Sequence, residues 1–153
     1  AEASAAFLGL TLRHGWDEMA RAVLESVGFA VRQIINILAD QGFRVDSLTS
    51  CGGPSRHAEW NQIKANITGV PIYTLANPEA DLVGCACVAL TAQGCFDTLA
   101  AAAKALVQPG QEFEPDCSLA DLYSDLFDVY QHASGLLKPL YPYLGTGSRV
   151  VNP

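Results

Sequence analysis

At 153 residues, with 50% hydrophobic and 16% charged residues, the chain has the size of one domain and enough apolar matter to bury a core. Its formal net charge of -7 argues against nonspecific binding to nucleic acid or anionic membranes, which needs a surplus of Lys and Arg. No run approaches the ~20 apolar residues of a membrane span, and the N-terminus lacks a basic flank followed by an apolar block, so a cytoplasmic protein is expected.

From Asp17 to Gln41 the apolar positions Val23, Val27, Val31, Ile34 and Leu38 recur at three- and four-residue intervals. That spacing predicts a long amphipathic helix with these residues facing the core, Asp17 as N-cap and Gly42 as the C-terminal stop. "FRVDSLTSC" follows as a short strand ending at Gly52 and Gly53. Pro54 suits a first helical position, where its missing N–H would have no partner, and Trp60, Ile63 and Ile67 give the second helix an apolar stripe as far as Gly69. "PIYTL" predicts a second strand, "ANPEA" a turn, and Asp81 to Gln93 a third helix kept slim by Gly84, Ala86 and Ala89. A fourth helix is expected over Asp97 to Leu106, then a loop through "QPGQEFEPD". Ser118 with Asp121 three residues on is capping-box-like and opens a last helix lined by Leu119, Leu122, Leu126 and Val129.

Strands alternating with helices imply an α/β layer with parallel pairing. Two strands make a poor sheet, so the chain reads as part of a larger unit.

The chemistry concentrates at "SCGGPSRHAEW", residues 50–60. In a parallel α/β unit, ligands gather at the carboxyl ends of strands beside helix N-termini. Bare glycine backbone there lets a phosphate oxygen reach free N–H groups at the positive end of the helix dipole. The same glycines would equally serve a positive φ or close packing, and the spacing matches neither GxxxxGK[ST] nor GxGxxG. His57 points either to a ligand or to solvent. Arg56 is a candidate phosphate donor or a solvated arginine, and Trp60 fits the core better than a base stack. Arg21 and Glu25, four apart, form an ion pair in a helix. Asp17, Asp40, Asp46 and Asp81 are carboxylates in no pattern that demands a general base, and His14 and His132 take no role. The five cysteines Cys51, Cys85, Cys87, Cys95 and Cys117 lack the spacing of a disulfide framework and read as reduced thiols. Cys85 and Cys87 sit two apart in a helical stretch and point to different faces, so no metal site is expected.

"AAFLGLTLRHGWDEMARAVLE", residues 5–25, resembles the second signature of the FGGY family of carbohydrate kinases. Ala5, Phe7, Gly9, Leu10, Glu18, Met19, Ala22, Val23, Leu24 and Glu25 fill its constrained positions. "SCGGPSRHAEWNQIKANITGVPIYTL" resembles the family's nucleotide-binding turn, helix and short strand. "EADLVGCACVALTAQG" resembles its small-residue helix, and "FEPD" with the tyrosine-containing last helix its C-terminal end. Xylulose-kinase-like members fit best.

The resemblance implies that residues 1–153 are the second half of a C-terminal nucleotide-binding domain. Its fold would be a partial actin-like, ribonuclease-H-like α/β ATPase domain, helix-rich with a short parallel sheet. The first strands, the catalytic aspartate and the N-terminal sugar-binding domain would lie outside these residues. The implied activity is transfer of a phosphoryl group from ATP, with Mg²⁺, to a ketose or polyol hydroxyl; the chain alone would be inactive. Gly52, Gly53 and His57 would bind the nucleotide, with Pro54 where relatives usually have Gly or Ala and His57 where they have Asn or Ser. No catalytic base or metal ligand is assigned, and a homodimer is compatible with the sequence. A noncatalytic nucleotide-binding or regulatory module on the same scaffold is the competing expectation; an unrelated flavodoxin-like domain would need more strands.

Overall fold

The structure is a computed structural model and describes residues 5–144. The elements run α1 (Trp16–Asp40), β1 (Leu48–Ser50), a 3-10 turn (Gly53–Arg56), α2 (Ala58–Thr68), β2 (Ile72–Leu75), α3 (Ala80–Ala92) and α4 (Leu99–Leu106). Then come β3 (Pro109–Phe113), a 3-10 turn (Cys117–Leu119), α5 (Ala120–Leu137), a further 3-10 turn (Lys138–Leu140) and the short α6 (Tyr141–Leu144).

The sheet order is β1-β2-β3. β1 and β2 pair in parallel, Leu48 opposite Ile72 and Ser50 opposite Thr74. β2 and β3 pair antiparallel, Ile72 opposite Phe113 and Tyr73 opposite Glu112. The fold is therefore helix-rich α/β with a small mixed sheet, which corrects the expected parallel one and replaces the predicted loop with an edge strand. Thr74 fastens that edge: its Oγ1 accepts from the Gln111 N–H at 2.8 Å and donates to the Gln111 carbonyl at 3.2 Å.

The ends of α1 are set by local chemistry. Its N-cap is Gly15, whose N–H donates to Glu18 Oε2 at 2.8 Å, so Asp17 lies in the first turn instead of capping it. At the other end Gly42 N–H bonds Ala39 O and Phe43 N–H bonds Leu38 O, the paired closure of a Schellman motif. Two other starts also differ from expectation. Asp116, not Ser118, caps the approach to α5, its Oδ1 accepting from the N–H and hydroxyl of Ser118. α4 starts at Leu99, where Thr98 Oγ1 accepts from the Ala101 N–H.

α1 packs on α2 and α5 around Phe29, Ile63, Ile67, Tyr123 and Phe127. Gly28 makes the close approach feasible: a Cβ there would fall 2.7 Å from Ile67 Cδ1. The Phe29 ring lies 5.3 Å from Tyr130, 6.2 Å from Phe127 and 6.3 Å from Tyr123. Two polar rivets hold the same seam. Arg32 Nη1 donates to the carbonyls of Ile67 and Tyr123, and its guanidinium stacks 4.6 Å over the Phe127 ring. Arg21 pairs with Glu25 at 2.8 Å and donates to Tyr123 Oη at 2.9 Å, while Tyr123 donates to Glu25 at 3.1 Å.

The buried side of α1 is not the stripe predicted from its spacing. Val23, Val27, Ile34 and Leu38 are exposed, Ile34 at 58%, whereas Phe29 is 7% exposed. α5 departs in the same way, burying Tyr123 and Phe127 while Leu122, Leu126 and Val129 face outward. The small-residue helix α3 also lacks a close neighbour at Gly84, where nothing lies within 4 Å of a would-be Cβ. Spacing finds a helix's apolar residues but does not tell which of two apolar faces meets the described core. One expectation about membranes is amended: among the described residues, α1 is long and apolar enough by length and composition to cross a bilayer.

Candidate functional site: the Gly52–Gly53 turn

β1 ends at Ser50, and the chain leaves the sheet through Cys51, Gly52 and Gly53. Gly52 has φ 72 and ψ -165, a region populated almost only by glycine. Its N–H donates to the Pro78 carbonyl at 2.7 Å, tying the turn to the loop before α3. Gly52 is thus explained inside the chain by conformation.

Gly53 is not. It is exposed, is not among the positive-φ glycines, and has nothing within 4 Å of the position a Cβ would take. A side chain would fit there without strain or clash among the described residues. The bare backbone at Gly53 faces open space beside the start of the 3-10 turn.

The expected single helix from Pro54 is interrupted. Residues 53–56 form the 3-10 turn, with Pro54 in its first positions, His57 is extended at φ -100 and ψ 98, and α2 starts at Ala58. The break follows from Ser55, whose N–H and hydroxyl both turn back to the Gly52 carbonyl, at 3.2 and 2.7 Å. His57 is therefore the N-cap residue of α2 and not a position one turn inside a helix. Its side chain makes no cap hydrogen bond and is exposed, close in sequence to both Gly53 and the free end of α2.

Arg56 forms an ion pair with Glu79, next to the N-terminus of α3, so its charge is partnered across the mouth of the turn. Trp60 donates from Nε1 to the Leu24 carbonyl at 3.2 Å and so joins α2 to α1. Gln62 donates to Asn66 Oδ1 and to the Glu114 carbonyl, and Asn66 Oδ1 also accepts from the Asp116 N–H. These contacts pin "FEPD" to α2, a tie invisible to sequence reading because the partners are 50 residues apart.

Beneath the turn, Lys64 is only 9% exposed. Its Nζ bonds Ser50 Oγ at 2.9 Å and lies 5.4 Å from the Trp60 ring centroid, and among the described residues no carboxylate forms an ion pair with it. Burial holds its pKa below the ordinary lysine value. The folded state then gives up this proton more readily than the unfolded chain, so stability should rise with pH between the lowered and the ordinary values. Lys64→Met is expected to raise stability at neutral pH, because it removes a charge that the fold keeps from water, read as a higher urea midpoint. The gain should vanish at alkaline pH, where lysine is neutral in both states.

Two cavities lie elsewhere. One, of about 540 Å³, sits between residues 5–10, α1 and α5, with His14, Glu18 and Tyr130 in its wall. The other, about 660 Å³, is an apolar groove along α5. No residue of the Gly52–His57 turn lines either. Among the described residues no three His, Cys, Asp or Glu side chains come together as metal ligands.

The fold is of the helix-rich α/β class, with a glycine turn at the carboxyl end of a parallel strand, where such folds commonly gather ligands. The model of the FGGY family of carbohydrate kinases, C-terminal domain, matches residues 1–93, and the chain belongs to this family. It is 30% identical over 131 residues to a xylulose kinase of Staphylococcus epidermidis, covering 86% of this chain and 26% of that protein. It is 30% identical over 150 residues to a ribulokinase of Shouchella clausii, covering 94% and 26%. The crystal structure of xylulose kinase from Rhodospirillum rubrum superposes with a TM-score of 0.77 at 32% identity, covering 91% of this chain and 28% of that one. The chain thus spans about a quarter of the length of these relatives. The structural likeness extends past residue 93 to α4, β3 and α5.

Proposed function

We propose that this chain supplies the nucleotide end of an ATP-dependent carbohydrate kinase, with Gly53 and its neighbours receiving the phosphates of ATP or ADP. The observation that carries this is the unexplained glycine. Gly52 is required by its own backbone, whereas Gly53 is bare with nothing among the described residues to require it, as a position kept clear for a ligand would be. On this reading its N–H is the donor, aided by the positive end of α2 a few residues on, and a chain of net charge -7 holds the anion by backbone rather than by a surplus of cations. His57, exposed and four residues on from Gly53, is on this reading the side-chain contact to the nucleotide.

The acceptor is a sugar or polyol hydroxyl, as suggested by relatives that are xylulose and ribulose kinases. In such a transfer the nucleotide must be held in line with the hydroxyl, and charge on the γ-phosphoryl group neutralised. The described residues fit the first task. Mg²⁺ keeps most of its waters and is bound through the nucleotide phosphates with one or two carboxylates, so it would enter with the nucleotide. The sugar readers, the catalytic carboxylate and the remaining strands of an actin-like fold belong, on this reading, to the roughly three quarters of the relatives that this chain does not match. The outward apolar faces of α1 and α5, with Ile34 and Val129 exposed, suit packing against such a remainder.

The 153-residue chain is therefore expected to bind ADP in calorimetry, yet to stay at background in a coupled ADP-release assay with ATP, Mg²⁺ and xylulose. Clear turnover by the chain alone would overturn the division of labour. Absence of ADP binding would count against the nucleotide site.

A further inference from the structure

We infer that Ser55 and Asn61 are positioning residues that aim the Gly53 N–H out of the turn, and so set the phosphate contact; the second clause rests on the nucleotide reading proposed above. The Gly52–Gly53 peptide is trans, and across a trans peptide the C=O and the following N–H point in opposite directions. Whatever grips the Gly52 carbonyl therefore directs the Gly53 N–H.

Ser55 grips that carbonyl twice, through its N–H at 3.2 Å and its hydroxyl at 2.7 Å. It is itself buried, and its own carbonyl accepts from Asn61 Nδ2 at 2.8 Å. Asn61 is 0% exposed and is anchored at the start of α2 by its N–H to the His57 carbonyl. Its Oδ1 is buried without a partner among the described residues. A buried amide that satisfies only its donor side is a poor choice for packing alone; what it provides here is the bond to Ser55. The outer side of the turn is fixed by Gly52 N–H on the Pro78 carbonyl. With both sides held, the Gly53 N–H is turned away from Ser55, and among the described residues nothing lies within 4 Å of a would-be Cβ on the same residue.

The test is made on the ¹⁵N-labelled 153-residue chain, weakly aligned, by the residual dipolar coupling of the Gly53 N–H without nucleotide, together with the Kd for ADP and Mg²⁺. In Ser55→Ala the Gly53 coupling should collapse toward zero while couplings along α1 and α5 persist, and ADP should bind about tenfold more weakly. Ser55→Thr keeps the hydroxyl and should restore both. Asn61→Leu should move both readouts in the same direction by less; should it fail to fold, the serine pair decides. An unchanged Gly53 coupling in Ser55→Ala overturns the proposal. If the unsubstituted chain has no affinity for ADP, the nucleotide reading fails and the phosphate contact with it, while the coupling still decides whether Ser55 directs the N–H.

Discussion

Gly53→Asp should abolish ADP binding while leaving the melting temperature of the chain nearly unchanged. Among the described residues nothing lies within 4 Å of the new Cβ, and the backbone there is not in the left-handed region, so the folded state tolerates the side chain. The carboxylate would meet the phosphates at close range. Two unit charges ~4 Å apart at an effective dielectric constant of ~20 repel by about 4 kcal/mol, on the order of a thousandfold in Kd. Gly52→Ala is expected to behave in the opposite way: its φ of 72 with ψ of -165 puts about 1–3 kcal/mol of strain on any residue with a Cβ, seen as a lower melting temperature. Calorimetry with ADP and thermal unfolding of both variants separate the two glycines. Equal loss of stability in both would mean the pair is purely conformational.

Phe29→Ala should destabilise the chain by about 3–5 kcal/mol, a large part of the ~5–15 kcal/mol that holds a typical domain. Phe29 is the ring at which α1, α2 and α5 meet, contacting Tyr123, Phe127 and Tyr130. By contrast Ile34→Ser, on the exposed stripe of the same helix, should change the stability of the 153-residue chain by no more than about 0.5 kcal/mol. Urea denaturation of the two variants reads the difference directly. A larger loss for Ile34→Ser would restore the face that periodicity favours and contradict the packing described above.

That contrast marks how far the sequence could be read. α1, α2 and α5 were legible because their apolar residues repeat every three or four positions, α3 and α4 because of their runs of small, alanine-rich residues, and Gly42 was legible as a stop because a Schellman closure calls for a left-handed residue. The buried face of α1 was not, because the helix carries two apolar faces and the ring that decides between them, Phe29, lies off the regular stripe. β3 was hidden by its opening Pro109 and Gly110, which read as a turn. Gly110 is in fact needed for close pairing, since a Cβ there would fall 2.6 Å from Thr74 Oγ1. At the site, the glycine pair stood out at once, but its division of roles did not. Only the backbone angle at Gly52 and the empty space at Gly53 separate a conformational glycine from one kept bare. Ser55 and Asn61 gave no local signal, because their hydrogen bonds depend on the break at His57, where a continuous helix was expected.

The most direct test of the nucleotide assignment is an amide shift map of the ¹⁵N-labelled chain titrated with ADP and Mg²⁺. The largest perturbations should fall on Gly53 and on residues 56–59, with the residues lining the cavity between α1 and α5 unmoved. Saturating shifts around His14, Glu18 and Tyr130 with Gly53 unchanged would contradict the account.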